Sequence, residues 1–299
     1  MPLSDTEIPP FRTVAIVGLG LLGASLGLAL RGKNVTRIGW TRKEEALDKA
    51  LADGVIDRGG CDLAKLLPEA DITVLCLPVS QIVSYCREFA RHWRPGSIVT
   101  DIASVKECIV EAAAPVLAAH NVHFIGSHPM AGSEKSGIAA ARIDLYKGAS
   151  VFITPQPASV SDALLSVKKL WELAGAQTMT ISAAEHDTLV AHTSHLPHFL
   201  AAVLARTVLS GEQTPMRQLG CAGGFRDTTR IASSNPVMWR EIIAANRAAV
   251  LQALKEFEAN LSQLRQYLEN GDYDKLQNNF EQAKELRDSW FHSKYDKYP

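Results

Sequence analysis

The segment that most constrains this chain is Gly18-Leu-Gly20-Leu-Leu-Gly23, which follows the apolar run Val14-Ala-Ile-Val17 directly and opens a helical stretch. Glycines at G-x-G-x-x-G spacing between a strand and a helix suit one backbone design. The first turns tightly, the second lets backbone approach a pyrophosphate, and the third lets the helix pack closely on the strand. The helix N-terminus adds partial positive charge. Gly18, Gly20 and Gly23, with Leu21 and Leu22 between them, are therefore expected to hold a dinucleotide. Residues 14–30 form a run of 17 without a charge, preceded by Arg12, which resembles a signal peptide or short span in length. Its four patterned glycines and the lack of a small-residue cleavage site favour a soluble helix instead.

Strand-length apolar runs recur at 36–40, 72–76 and 97–100, each flanked by Gly, Pro or Asp, with helical stretches such as 43–53 and 81–93 between them. That rhythm predicts a doubly wound, Rossmann-type α/β sheet. Further strands are expected at 122–126 and 151–154, then a helix at 161–174 and a closing strand at 178–181. Beyond 182 the strand-like runs stop. Leu254, Phe257, Leu261, Leu264 and Leu268 recur at three- and four-residue steps, as do Leu276, Phe280, Ala283, Leu286 and Trp290. This is the apolar stripe of amphipathic helices, read first as the core of a helical domain and second as a helical dimer interface. The expected organisation is a dinucleotide-binding domain over 1–181 and an all-α dimerisation domain over 182–299, with the active site in the cleft between them.

Composition excludes several classes. With 46% hydrophobic residues in 299, the chain can bury a core and is not disordered. A net charge of −1 removes the long-range field that a nucleic-acid or membrane-surface binder would use. Cys61, Cys76, Cys86, Cys108 and Cys221 are odd in number and lack a C-x-x-C pair, which reads as reduced thiols in a cytoplasmic protein.

Three polar segments carry the chemistry. An NAD site usually ends its second strand in Asp or Glu, which holds the ribose 2′-hydroxyl. Here that strand runs into Thr41-Arg42-Lys43, a hydroxyl and two cations that suit a 2′-phosphate, so NADP is expected, with NAD the alternative. Pro78 and Asp101, after the strands at 72–76 and 97–100, are also placed at the cofactor. Asp101-Ile-Ala-Ser104-Val-Lys106 follows a strand's C-terminal end, where ligands of open α/β sheets bind. Gly126-Ser127-His128-Pro129-Met130-Ala131-Gly132-Ser133-Glu134 follows the next strand, and a His on such a loop is either an acid/base group beside a nicotinamide or a hydrogen-bonded structural His. His192, His195 and His198 step by three along a helix, but no Cys or carboxylate joins them at zinc-like spacing, so no metal is expected. His195 is read as structural, its ring bonded to backbone, and Trp239 as a core or interface aromatic.

With His195-Leu-Pro-His198 and Gly223-Gly-Phe-Arg226-Asp-Thr-Thr-Arg230, these segments in order resemble the prephenate/arogenate dehydrogenase family of tyrosine biosynthesis over nearly the whole chain. The resemblance implies oxidative decarboxylation of a cyclohexadienol, prephenate or its amino counterpart arogenate, by a homodimer joined through its helical domain. His198 and Arg226 suit the keto acid, so prephenate is expected, with arogenate or dual specificity the alternative. It makes His128 the base and sets Ser104 to bond the substrate hydroxyl or the nicotinamide carboxamide. It gives Arg230 to a substrate carboxylate and His198 to the substrate side chain, with Ser133 and Glu134 at the pocket mouth and Arg226 nearby. The same resemblance puts the Trp239 segment near the pocket. With no regulatory domain after the helices, feedback by tyrosine is expected at the active site. Two rivals stay open: a β-hydroxyacid dehydrogenase of similar build, and a non-catalytic NADP-sensing module.

Overall fold

The structure is a computed structural model that describes residues 9–132, 135, 137–157, 159–211 and 214–295. It divides into two units, Met1–Ala249 and Val250–Pro299. In the first, β1 (Thr13–Val17), β2 (Thr36–Trp40), β3 (Arg58–Gly60), β4 (Ile72–Leu75), β5 (Ile98–Asp101) and β6 (His123–Phe124) form a parallel sheet in the order β3-β2-β1-β4-β5-β6. Val14, Ile16, Ile72, Val74 and Val99 are fully buried, as strands covered on both faces require. The strand β3 is not foreseen from sequence, because Arg-Gly-Gly carries no apolar run.

Helices close both faces. Among them, α1 (Leu21–Ala29) buries Leu26 in one apolar layer, while α2 (Glu44–Ala52) buries only Ala50 and α3 (Leu63–Leu66) is a single turn. Across the sheet α4 (Val79–Phe89) and α5 (Glu107–Ala118) bury Ile82, Cys86, Ile109, Ala113 and Leu117 in a second layer. The expected strand at 122–126 is in fact two. Ile125 carries the chain off the main sheet into β7 (Gly126–Pro129), which pairs antiparallel with β8 (Ser150–Thr154). After α6 (Ser161–Leu173), β9 (Gln177–Thr180) joins parallel to β8, completing a three-stranded sheet β7-β8-β9. The segment read as a loop around His128 is therefore a strand, and its alternation sends Ser127 and His128 to opposite faces.

From residue 183 the chain is helical. Here α7 (Ala183–Val190) runs through one wide π-helical turn, Ala191–His195, into α8 (Leu196–Leu209). Then come α9 (Thr214–Gly220), α10 (Gly223–Thr229), a tight turn Arg230–Ser233 and α11 (Pro236–Ala245). The last two helices are α12 (Arg247–Asn270) and α13 (Tyr273–Tyr295). The apolar stripe is not a core within one chain: Leu261, Leu268, Phe280, Leu286 and Trp290 are exposed. Leaving such side chains in water forgoes roughly 1.5–3 kcal/mol each, so the first of the two sequence readings of this stripe fails. All five cysteines are free, and no helix among the described residues is long and apolar enough to cross a membrane.

Candidate active site

The glycine loop has the geometry its sequence promises. Gly18 has φ +104°, and a Cβ there would lie 2.4 Å from the Cys76 carbonyl oxygen. A Cβ on Gly23 would lie 2.0 Å from the Gly18 carbonyl oxygen, so helix and loop touch where a side chain would stand. Gly20 differs, because nothing lies within 4 Å of the Cβ position. Gly20 caps α1 with no side chain, leaving the first-turn N–H groups around Leu21 and Leu22 without a capping acceptor. Open space over uncapped N–H groups fits a pyrophosphate. At the end of β2, Trp40 Nε1 donates to the Cys61 carbonyl at 3.0 Å. Beyond it Thr41 is half-buried, and Arg42 and Lys43 are exposed and make no ion pair among the described residues. Pro78, at the C-terminal side of β4, caps α4.

Asp101 closes β5 but is fully buried, and its carboxylate is occupied by the protein. It pairs with the equally buried Lys106 ammonium and accepts from Ala103 N at 3.0 Å and Ser127 N at 3.1 Å. Lys106 Nζ also donates to the Ser127 carbonyl at 3.0 Å. Ser127 Oγ donates to the Asp101 carbonyl, and Trp171 Nε1 donates to Ser127 Oγ at 3.0 Å. The Asp101 side chain therefore faces the protein interior, which leaves only its backbone for the cofactor. Its charge is neutralised underneath, and it fastens the Ser104 loop to β7. Ser104 itself is half-buried and its hydroxyl has no partner among the described residues.

On the opposite face of β7, His128 Nδ1 lies 2.8 Å from His186 Nε2, and His186 Nδ1 lies 2.8 Å from Asp187 Oδ1. The His128 and His186 rings meet edge to face at 5.1 Å. Asp187 also accepts the first backbone N–H groups of α5, from Lys106 at 2.8 Å and Glu107 at 3.0 Å. Burial holds His128 well below the ordinary imidazole range, and the neighbouring His186, Lys106 and His195 push the same way. Its ring is therefore neutral at physiological pH.

The helical side brings a second group together. Asn246 Nδ2 donates to the Asp187 carbonyl at 2.8 Å and to His195 Nδ1 at 3.2 Å. The carbonyl fixes the amide orientation, so His195 Nδ1 accepts and its Nε2 carries the hydrogen. His195 is bonded to a side chain, not to backbone as expected, because Asn246 lies against it in the fold. Its Nε2 and Trp239 Nε1 are buried without a partner among the described residues. His198 stacks on Trp239 at 3.6 Å, donates from Nδ1 to the Ser194 carbonyl at 3.0 Å, accepts at Nε2 from Ser234 Oγ at 3.5 Å, and feels the charge of Arg230. Arg230 opens the Arg230–Ser233 turn and is exposed. Arg226 pairs with its neighbour Asp227 at 3.0 Å in solvent. Ser133 and Glu134 lie outside the described residues.

His186, Asp187 and Asn246 are absent from the sequence reading. The Glu-His-Asp in the first turns of α7 was the available signal, a His-Asp pair on a helix that follows a capping box at Ser182 and Glu185.

Comparison with known proteins gives one consistent family. A family model described as the prephenate dehydrogenase nucleotide-binding domain matches residues 26–180, and one described as the prephenate dehydrogenase dimerization domain matches 182–282. The chain is 36% identical to a prephenate dehydrogenase of Bacillus subtilis over 282 residues, 92% of this chain and 75% of that protein. It is similar to the solved A. aeolicus prephenate dehydrogenase in complex with hydroxyphenyl propionate and NAD+ (TM-score 0.87, 32% identity, covering 93% and 98% of the two chains). Synechocystis arogenate dehydrogenase matches with a TM-score of 0.82 and 32% identity, covering 93% and 99%.

Proposed function

The chain belongs to the prephenate dehydrogenase family and is an NAD(P)-dependent oxidoreductase, and from that premise we propose that it oxidatively decarboxylates prephenate to 4-hydroxyphenylpyruvate with NADP. The observation that carries the reading is a buried, neutral His128 on β7, whose neighbour Ser127 is hydrogen-bonded to Asp101 where β5 leads into the Ser104 loop. A base must be unprotonated before turnover, and burial among cations and neutral imidazoles secures that here.

The bound nicotinamide supplies the hydride acceptor. His128 takes the proton of the ring hydroxyl as hydride leaves the same carbon, and Ser104 orients that hydroxyl or the carboxamide. Arg230 holds a substrate carboxylate, bidentate by the shape of guanidinium, and His198 meets the side chain. The buried N–H groups of His195 and Trp239 supply two further donors toward an acid substrate. Loss of CO₂ then aromatises the ring. Ser133, Glu134 and Arg226 are placed at the pocket mouth; the Arg226–Asp227 pair in solvent is compatible with a rim position.

The cofactor choice is read from Thr41, Arg42 and Lys43. Exposed cations that make no ion pair among the described residues at the end of β2 suit a 2′-phosphate, whereas a carboxylate there would repel it. We assign residues 1–181 to dinucleotide binding and 182–299 to substrate binding and homodimerisation in a cytoplasmic enzyme. The exposed leucines of α12 and the aromatic residues of α13 support a second copy as their partner. The likeness to an arogenate dehydrogenase keeps arogenate as the second substrate to try. Purified protein assayed with each acid and each nicotinamide tests all of this. Prephenate with NADP is expected to give the highest kcat/KM, and a tenfold preference for NAD would overturn the cofactor reading.

A further inference from the structure

A histidine can serve as base toward a substrate only through a nitrogen that carries a lone pair, so the tautomer of His128 decides whether it can act. Nothing in the reaction itself selects that tautomer. The neighbours do. Asp187 Oδ1 lies 2.8 Å from His186 Nδ1, and a carboxylate only accepts, so His186 donates from Nδ1. Burial holds His186 below the ordinary imidazole range, which leaves one proton on its ring. Its Nε2 is then an acceptor, 2.8 Å from His128 Nδ1.

We propose that His186 and Asp187 are positioning residues for His128: Asp187 fixes the tautomer of His186, and His186 Nε2 holds His128 in the Nδ1–H form with its Nε2 lone pair presented to the substrate hydroxyl. This deepens the functional reading above and rests on it for the role of His128. When His128 takes the hydroxyl proton at Nε2 it becomes an imidazolium that still donates through Nδ1. His186 keeps its proton throughout, and the carboxylate two hydrogen bonds away stabilises the positive charge.

The surroundings make this arrangement rigid. Asp187 is locked by the Lys106 and Glu107 backbone N–H groups at the start of α5, and its own carbonyl by Asn246. The His186 ring lies edge-on between His128 at 5.1 Å and Phe152 at 5.7 Å, fully buried. The charged or titratable groups facing the pair are Lys106 from the α5 end, Asp101 from β5 and His195 from the π-helical turn. Lys106 is neutralised by Asp101, so Asp187 is the carboxylate hydrogen-bonded into the row. A helix cap alone would need Asp187 but not a second imidazole between it and His128.

The test is nitrogen NMR of protein labelled with 15N-histidine, with His128→Asn identifying the His128 signals. The expected spectrum of the wild-type protein shows the hydrogen of His128 on Nδ1. In His186→Phe, which keeps ring volume and removes the acceptor, that preference is lost, kcat falls about 10²-fold or more with KM little changed, and dinucleotide binding persists. His186→Gln, whose amide oxygen can accept from Nδ1, restores the tautomer and part of kcat. Finding the hydrogen on Nε2 in the wild type overturns the proposal, and so does a His186→Phe spectrum unchanged at His128. The wild-type spectrum decides even where a variant fails to fold. Absence of turnover with either acid would instead sink the functional reading, with the tautomer result standing apart from it.

Discussion

His128 Nδ1 and His186 Nε2 lie 2.8 Å apart, two buried imidazoles sharing one hydrogen at the junction of β7 and α7. The contact joins the α/β part of the chain to its helical part, because His128 belongs to the second sheet and His186 to the first helix after that sheet. Burial and three neighbours hold His128 well below the ordinary imidazole range.

That direction fixes a pH profile. The base is present above its folded pKa and is lost only as pH falls through it, so the acid limb of kcat/KM lies below the ordinary imidazole range near 6.5. His128→Asn removes the base and should lower kcat about 10³-fold while leaving NADPH binding intact. Stopped-flow or steady-state rates across pH 4 to 9 check both.

The two inner glycines should fail differently. Gly23→Ala places a methyl 2.0 Å from a backbone oxygen, so it destabilises folding by roughly 1–3 kcal/mol. Gly20→Ala meets nothing within 4 Å and folds normally, but its methyl stands in the space proposed for the pyrophosphate. Urea titration separates the first effect, and NADPH fluorescence titration the second.

Arg42→Asp converts one exposed cation into the acid that NAD sites carry. It should shift the kcat/KM ratio of NADP to NAD by about tenfold toward NAD, the size expected of a partly solvated charge on phosphate. An unchanged ratio would place the 2′-phosphate elsewhere.

Acid should weaken the fold through its buried histidines. Burial lowers His195 to about 4, with Asp187 opposing and His186 and His198 reinforcing. The folded state binds fewer protons than the unfolded one below about 6.5, so this stability is complete above that pH and is lost as pH falls toward 4. A gap of that size is worth about 3 kcal/mol for this one group. Urea midpoints should fall steeply between pH 7 and pH 4, and His195→Gln should flatten the fall.

Most of the fold was legible because apolar runs and glycine spacing are local signals. The runs at 14–17, 36–40 and 72–76 and the loop Gly18 to Gly23 all occupy the places their patterns assign. What escaped depends on distant partners. Arg58-Gly-Gly60 is a strand only because β2 lies beside it, and β7 is a strand only because β8 returns to pair with it. His186 and Asn246 meet their partners across 58 and 51 residues, a separation no periodicity encodes. The inward turn of the Asp101 side chain depends on Lys106 being buried beside it, which the strand-end pattern does not encode.

The exposed stripe predicts an association. Leu261→Glu with Leu268→Glu puts two charges where a second copy is proposed to bury leucines, and should yield monomers by sedimentation velocity.

The most direct measurement is reduced-nicotinamide formation by the purified protein, with prephenate and arogenate offered separately and NADP and NAD each supplied. Turnover of prephenate with NADP as the best pair, abolished in His128→Asn, is the predicted result. Folded protein that binds NADPH yet turns over neither acid with either cofactor would contradict the account.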